Sequence, residues 1–306
     1  MNDMKLIPTY QMETPPERAM EWRDFEHLIL SKWEELLNRT PVPTEPDMQE
    51  FLERYPSMVP CAYNIQRFKN GPRLESGHLP WMNGLISQPV LPSFHHHIPD
   101  FMWLSRNSAR LEPVLIEIEA PSKRWWKANG DPTADLTQAL GQITRWKTWF
   151  EDSVNVIKFK EMYGLEWGET VKRQFKPSYL LIYGREVEAN SKPDLIGQRS
   201  HLAEADVDIM TYDRLYPDPR ALQQVCMKVK IDKGETVFKA ISVPATMTLK
   251  PSLARYRSRL SGLEEAINSN KHISPKRKEF LIRRLPYWNE WLKSPEKGIV
   301  IGGDEE

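Results

Sequence analysis

The chain reads as a mixed α/β protein, a sheet of parallel and antiparallel strands covered by helices, with an N-terminal helix and a C-terminal α+β extension. Three observations predict this. An apolar hairpin runs over residues 98–119, a helix with strong apolar periodicity follows over 136–150, and short apolar runs at 179–183 and 207–211 are spaced as parallel neighbours with a crossover between them.

Taken in order, residues 18–38 form an amphipathic helix with Trp22, Phe25, Ile29, Trp33 and Leu36 on one face. Pro41, Pro43 and Pro46 separate it from a second helix, Asp47 to Arg54, which stops before Tyr55-Pro56 because the residue ahead of a proline disfavours helix. Residues 64–92 are rich in Gly and Pro and read as short strands or loops, a substrate-facing insertion. The hairpin pairs a strand at 98–104 with one at 114–119 across the turn 105–110. Strand side chains alternate, so Val114, Ile116 and Ile118 share one face while Glu117 and Glu119 share the other. A turn centred at 107–109 sets Asp100 opposite Glu117.

Asp131 and Pro132 supply a helix start, after which Leu136, Ala139, Leu140, Ile143, Trp146 and Phe150 recur at helical spacing. Gln142 lies one turn from Trp146, beside that stripe. The strand at 179–183, a crossover helix between 193 and 202, and the strand at 207–211 complete the core. Beyond 216, strands at 225–231 and 236–243 flank the turn Asp232-Lys233-Gly234, and helices occupy 253–268 and 275–293, the last opened by Ser274-Pro275. Its Lys276, Arg277, Lys278, Arg283 and Arg284 read as a solvated basic face, with a DNA or subunit contact as the alternative. The acidic end, 302–306, reads as disordered. The chain thus divides into 1–43, 44–216 and 217–306.

The chemistry concentrates in the hairpin. Asp100, Glu117 and Glu119 brought together would repel unless protonated or bridged by a cation. A hard cation such as Mg²⁺ takes a few carboxylate oxygens, keeps several waters, lowers the pKa of an attacking water and neutralises charge on a phosphate. Gln142, aimed at such a cluster, can orient a water or a phosphate oxygen. A Glu-x-Glu strand by itself is usually the solvent face of an edge strand; the Asp100 hairpin and the Gln142 helix are what favour a site. Lys123-Arg124-Trp125-Trp126-Lys127 offers charge and stacking to a nucleic acid, or else a buried aromatic pair. His95-His96-His97 has no Cys partners or helical spacing and reads as a polar loop. Arg185 reads as a surface ion pair or a phosphate contact.

Composition sets the outer bounds. Lys plus Arg equals Asp plus Glu at 42 each over 306 residues, so any attraction for phosphates is local. No apolar run reaches membrane-spanning length and the N-terminus lacks a signal-peptide pattern, which predicts a soluble cytoplasmic protein. Cys61 and Cys226 are too few for a disulfide framework or a structural zinc site.

The order Pro99-Asp100, Glu117-Ile118-Glu119, then Gln142-x-x-x-Trp146 resembles the PD-(D/E)xK nuclease superfamily. More narrowly, Pro99-Asp100-Phe101, the 116–122 strand and Ala139-Leu140-Gly141-Gln142-Ile143 resemble the Shedu antiphage proteins. The segment 44–52 with Tyr55-Pro56 resembles the preceding helix there and in the NucS mismatch endonucleases. The resemblance implies a restriction-endonuclease-like sheet and a Mg²⁺- or Mn²⁺-dependent DNA endonuclease, with Asp100 and Glu117 as metal ligands, Gln142 assisting and Glu45 as a further carboxylate. It also implies a homo-oligomer, commonly a tetramer. Glu119 stands where the superfamily carries its lysine, and Lys123 is the nearest replacement. Two other readings remain open: a nucleic-acid-binding sensor on a decayed nuclease fold, and a metal-independent glycosidase using paired acids.

Overall fold

The computed structural model describes residues 11–66, 74–92, 98–166, 172–189, 196–232, 235–293 and 306. His95-His96-His97, Lys233-Gly234 and residues 302–305 lie outside them.

Helix α1 (Trp22–Leu37) buries Phe25, Ile29 and Trp33, one residue per turn along a single face. Helix α2 (Glu45–Arg54) opens two residues earlier than the sequence suggests, because Thr44 and Asp47 form a capping box and Pro46 occupies the first turn. Asp47 is therefore the reciprocating third residue, and Glu45 becomes the first residue of the helix. Strands β1 (Asn64–Gln66) and β2 (Leu74–Glu75) form a small antiparallel pair.

The large sheet contains β3 (Gly84–Ser87), β4 (Phe101–Arg106), β5 (Arg110–Ile118), β6 (Gln174–Phe175), β7 (Ser178–Ile182), β8 (Val207–Met210), β9 (Val225–Asp232), β10 (Glu235–Ser242) and β11 (Leu260–Ser261). Their order is β11-β10-β9-β3-β4-β5-β7-β8, with β6 also paired to β5. The pairs β3/β4, β4/β5 and β9/β10 are antiparallel, whereas β3/β9, β5/β7 and β7/β8 are parallel, so the mixed sheet expected from the sequence is found. Helices α3 (Ala134–Glu151) and α4 (Ser153–Met162) carry the chain from β5 to its parallel neighbour β7. Between β7 and β8 lie α5 (Glu186–Ala189) and α6 (Ile196–Leu202).

Two expectations change. The insertion at 64–92 does hold short strands, but one of them, β3, is fully buried between β4 and β9 instead of facing substrate. It joins the strands beyond 216 to the same sheet. Gly84 is needed there, since a Cβ would stand 2.8 Å from Met227 Cε and 3.0 Å from the Val225 carbonyl oxygen. Likewise the single helix expected over 253–268 is two, α7 (Pro251–Arg257) and α8 (Leu263–Ser269), separated by β11 and by Gly262 at φ 73°. Helix α7 ends at Ser258, ahead of β11, and the left-handed Gly262 is the N-cap from which α8 starts.

Of the five basic residues of α9 (Pro275–Leu292), Arg277 and Arg284 turn inward instead of joining a solvated face, while Lys276 and Arg283 stay exposed. Arg277 and Arg284 are only 2% and 1% exposed. Arg277 donates to Glu306 Oε2 at 2.9 Å and to the Met247 carbonyl at 2.8 Å, and Arg284 lies 4.0 Å over the Tyr287 ring and donates to the Gln11 carbonyl at 2.7 Å. Arg283 pairs with Glu13. These contacts tie Gln11, Glu13 and Glu306 onto α9, and Glu306 is a buried ion-pair partner.

Candidate functional site

The β4/β5 hairpin sets the site. Phe101 pairs with Ile116 and Trp103 with Val114, and Asp100 N–H donates to the Ile116 carbonyl at 3.1 Å, so Asp100 sits just outside the ladder beside Glu117. The turn closes through Asn107, whose Oδ1 accepts from Ala109 N at 2.8 Å and Arg110 N at 2.7 Å. Asp100 Oδ2 accepts from Ile118 N at 2.8 Å, which fixes the carboxylate against β5, and its other contact is a hydrogen bond shared with the Glu117 carboxyl.

Four acids interact here. Glu117 and Glu119 are 7% and 8% exposed, on the same face two residues apart, and Glu45 at the start of α2 hydrogen-bonds Glu119. Burial pushes Asp100 up to about 7, against the Ile118 hydrogen bond, with the Glu45 and Glu119 charges adding to the rise. Glu117 is driven further still by burial and then by Asp100, Glu119 and Glu45. Burial and Glu119 raise Glu45. Without a cation the cluster therefore holds protons at neutral pH.

A divalent cation fits this set on one structural ground: Glu117 Oε2 is buried and has no hydrogen-bond partner. An orphaned carboxylate oxygen facing other acids is costly until a cation or proton meets it. Among the described residues, no three His, Cys, Asp or Glu side chains close around one point. Mg²⁺ does not require that, because it keeps several waters and takes one or two carboxylates. Asp100 and Glu117 supply that number.

Glu119 and Lys123 are placed differently from Asp100 and Glu117. Lys123 Nζ forms an ion pair with Glu119 Oε2, and although burial pulls the ammonium down, Glu119, Asp135 and Glu45 leave it raised and charged. Gln142 is buried on the sheet-facing side of α3 with Ala139, Ile143 and Trp146, and no hydrogen bond among the described residues joins it to the four acids. The N-cap of α3 is Thr133, which accepts from Leu136 N at 3.3 Å, rather than Asp131, whose carbonyl instead accepts from Lys127 N at 2.8 Å in the preceding turn.

The stacking role expected of Trp125 and Trp126 is overturned. They are 0% and 5% exposed, and Trp125 meets Tyr183 edge-on at 5.5 Å. Their loop lies on Gly184, at φ 60°, where a Cβ would stand 2.8 Å from the Lys123 carbonyl oxygen and 2.9 Å from Trp125 Nε1. Tyr183 Oη also donates to the Arg124 carbonyl at 3.0 Å. The aromatic pair is an anchor that holds Lys123 over Glu119. Of the five residues expected to touch nucleic acid, Arg124 and Lys127 are exposed, while Lys123 is half-buried and engaged. Arg185 is held by Asp213 and by the Leu37 carbonyl, which makes it structural.

Two contributors went unnoticed in the sequence. Tyr212, fully buried just after β8, donates to the Glu119 carbonyl at 2.8 Å and stands within the field of all four acids. Gln49 on α2 donates to the Asp100 carbonyl at 3.4 Å and to Ser87 Oγ at 3.1 Å. Helical spacing alone signals Gln49, since it follows Glu45 by one turn on α2.

The raised acids make the metal-free protein pH-sensitive. A carboxyl whose folded pKa exceeds its unfolded value holds a proton that the unfolded chain releases, so its stabilising contribution is complete below the unfolded pKa and is lost as pH rises. For Asp100, and for buried Glu112, also raised to about 7 by burial, the loss falls between about pH 4 and about 7. Urea denaturation in chelator is expected to show stability falling across that window by up to about 1.4 kcal/mol per pH unit for each retained proton, with Mg²⁺ restoring the Asp100 share. Stability that stays level or rises across this window would refute the assigned protonation.

A mixed sheet flanked by helices, bearing buried and half-buried acids on the ends of a central hairpin and on the first turn of a preceding helix, defines an α/β protein with a clustered acidic site. The family model for the C-terminal part of Shedu protein SduA matches residues 43–216, more than half of the chain, and the protein belongs to that family. No curated protein matches the chain. Among the described residues, no helix is long and apolar enough to cross a membrane.

Proposed function

We propose that the protein is a metal-dependent DNA endonuclease acting in antiphage defence, on a PD-(D/E)xK-type fold related to that of the NucS endonucleases. Membership in the Shedu family suggests the defence role. The observation that carries the chemistry is the pairing of half-buried Asp100 with buried Glu117, whose Oε2 is orphaned.

In this reading Asp100 and Glu117 hold Mg²⁺ or Mn²⁺, with Glu119 at the edge of the set. The cation, when bound, supplies Lewis acidity toward a phosphate and an acidified water. The chain's own residues do the rest. Ile118 N–H and the Gln49 amide hold Asp100 in place, and Tyr212 holds the backbone of Glu119. Lys123, charged and beside Glu119, can turn its ammonium toward a phosphate oxygen once substrate brings negative charge to the site. Arg124 and Lys127, exposed on the same loop, draw the DNA backbone by charge. Two such sites in a homo-oligomer, a tetramer by family resemblance, would cut both strands.

The test is cleavage of linear and circular DNA with Mg²⁺, with Mn²⁺ and with chelator. Cutting that requires the ion is expected. Tight DNA binding with no cutting under any divalent ion would replace this reading with a binding-only sensor, which the Glu119 occupation of Lys123 also favours. Lys123→Ala is expected to lower cutting by about 100-fold or more, with fold and metal binding retained; unchanged cutting would remove Lys123 from the mechanism.

A further inference from the structure

The Asp100 peptide is gripped from α2 and β3 as well as from β5. Its carbonyl accepts from Gln88 N at 2.8 Å and from Gln49 Nε2 at 3.4 Å. Gln88 directly follows β3, and its side chain is exposed while its backbone stands at φ 48°, in the left-handed region that a non-glycine residue seldom adopts. Something must hold the chain in that turn. Ser87, the last residue of β3, is fully buried, and its Oγ donates to Glu53 Oε1 in the last turn of α2.

Glu53 is the hub of these contacts. Its Oε1 also accepts from Gln49 Nε2 at 3.3 Å, one helical turn back, and pairs with Lys228 Nζ of β9 at 3.3 Å. Gln49 Nε2 in turn donates to Ser87 Oγ at 3.1 Å. Ser87 stands in register with Phe101 of β4 on one side and with Lys228 of β9 on the other, so one carboxylate links α2, β3 and β9 next to the residue that precedes β4. An apolar set of similar volume often fills such a junction with equal stability. What the polar set supplies is one fixed register of α2 against β3, and with it one position for the Gln88 N–H and the Gln49 amide that hold the Asp100 carbonyl.

We propose that Glu53 is a positioning residue: through Ser87, Gln88 and Gln49 it sets the main chain of Asp100, and so its carboxylate, without touching the cation or the DNA. Its consequence for cutting rests on the endonuclease reading, whereas its effect on Asp100 does not. Amide hydrogen exchange on the full chain in chelator tests that effect. In Glu53→Ala the Gln88 and Ile118 amides, which donate to the Asp100 carbonyl and carboxylate, are expected to exchange at least about tenfold faster, while the Arg110 amide, held by Asn107 at the far end of the hairpin, stays within about twofold. DNA cutting is expected to fall about 10–100-fold in kcat, the range for partners of metal ligands, with KM for DNA within about twofold. Glu53→Gln, whose amide oxygen still accepts from Ser87 and Gln49, should recover most of the loss. Arg54→Ala, the next residue along the helix but paired with Glu50 at the surface, should match the wild type. Unchanged exchange at Gln88 and Ile118, faster exchange spread over the whole hairpin, a Glu53→Gln protein as impaired as Glu53→Ala, or an undiminished kcat in Glu53→Ala where the wild type cuts overturns the assignment. Loosened Gln88 and Ile118 amides in a protein whose wild type cuts no DNA would sink the endonuclease reading and leave Glu53 in its role.

Discussion

Glu117→Gln is expected to abolish metal-dependent DNA cutting, by more than about 100-fold, while leaving the metal-free protein folded. The outer-shell partners of metal ligands already cost about 10–100-fold when mutated, and a ligand itself costs more. The fold should persist because burial and three neighbouring acids keep Glu117 protonated at neutral pH, so the amide replaces a neutral acid of the same shape. Asp100→Asn should behave alike, since its remaining side-chain oxygen can still accept from Ile118 N. Glu112→Gln is the matched control, a buried acid on the same strand that stands outside the cluster, and its cutting should match the wild type. A Glu117→Gln protein that still cuts would exclude the pair as the centre.

The second large effect is on stability. Trp125→Ala is expected to cost about 3–5 kcal/mol, the usual range for deleting a fully buried large aromatic. The loss has a local consequence as well. The Trp125 ring rests on Tyr183 and crowds Gly184, and through that anchor the loop presents Lys123 to Glu119. Denaturant titration should therefore show a lowered midpoint, and any fall in DNA affinity should accompany it. A variant of unchanged stability that binds DNA more weakly would restore the stacking role that burial argues against.

Much of the hairpin was legible because its rules are local. A period of two places Glu117 and Glu119 together, and the Asn107 turn puts Asp100 across from Glu117, as the Phe101–Ile116 pairing bears out. The parallel strands 178–182 and 207–210 were equally readable as short buried runs. What escaped depends on tertiary packing. Strand β3 is four residues beginning at a glycine, preceded by Met82 and Asn83 at positive φ, so its sequence allows a short strand without marking its central place in the sheet. Trp125 and Trp126 sit among Lys123, Arg124 and Lys127, a composition equally suited to a nucleic-acid clamp and to a buried anchor with charged neighbours. Tyr212 reaches Glu119 across 93 residues of sequence, and no periodicity reports that contact. The arginines of α9 find Glu13 and Glu306 at opposite ends of the chain for the same reason.

The central claim is that Asp100 and Glu117 take up a divalent cation by giving up a proton. Calorimetric titration of Mn²⁺ into the wild-type protein and into Glu117→Gln, repeated in two buffers of different ionisation enthalpy, measures both ion and proton at once. Saturable binding with proton release in the wild type, affinity rising between pH 6 and 8, and loss of both in the variant are the results this account predicts. Equal binding by the two proteins, or binding that releases no proton, would contradict it.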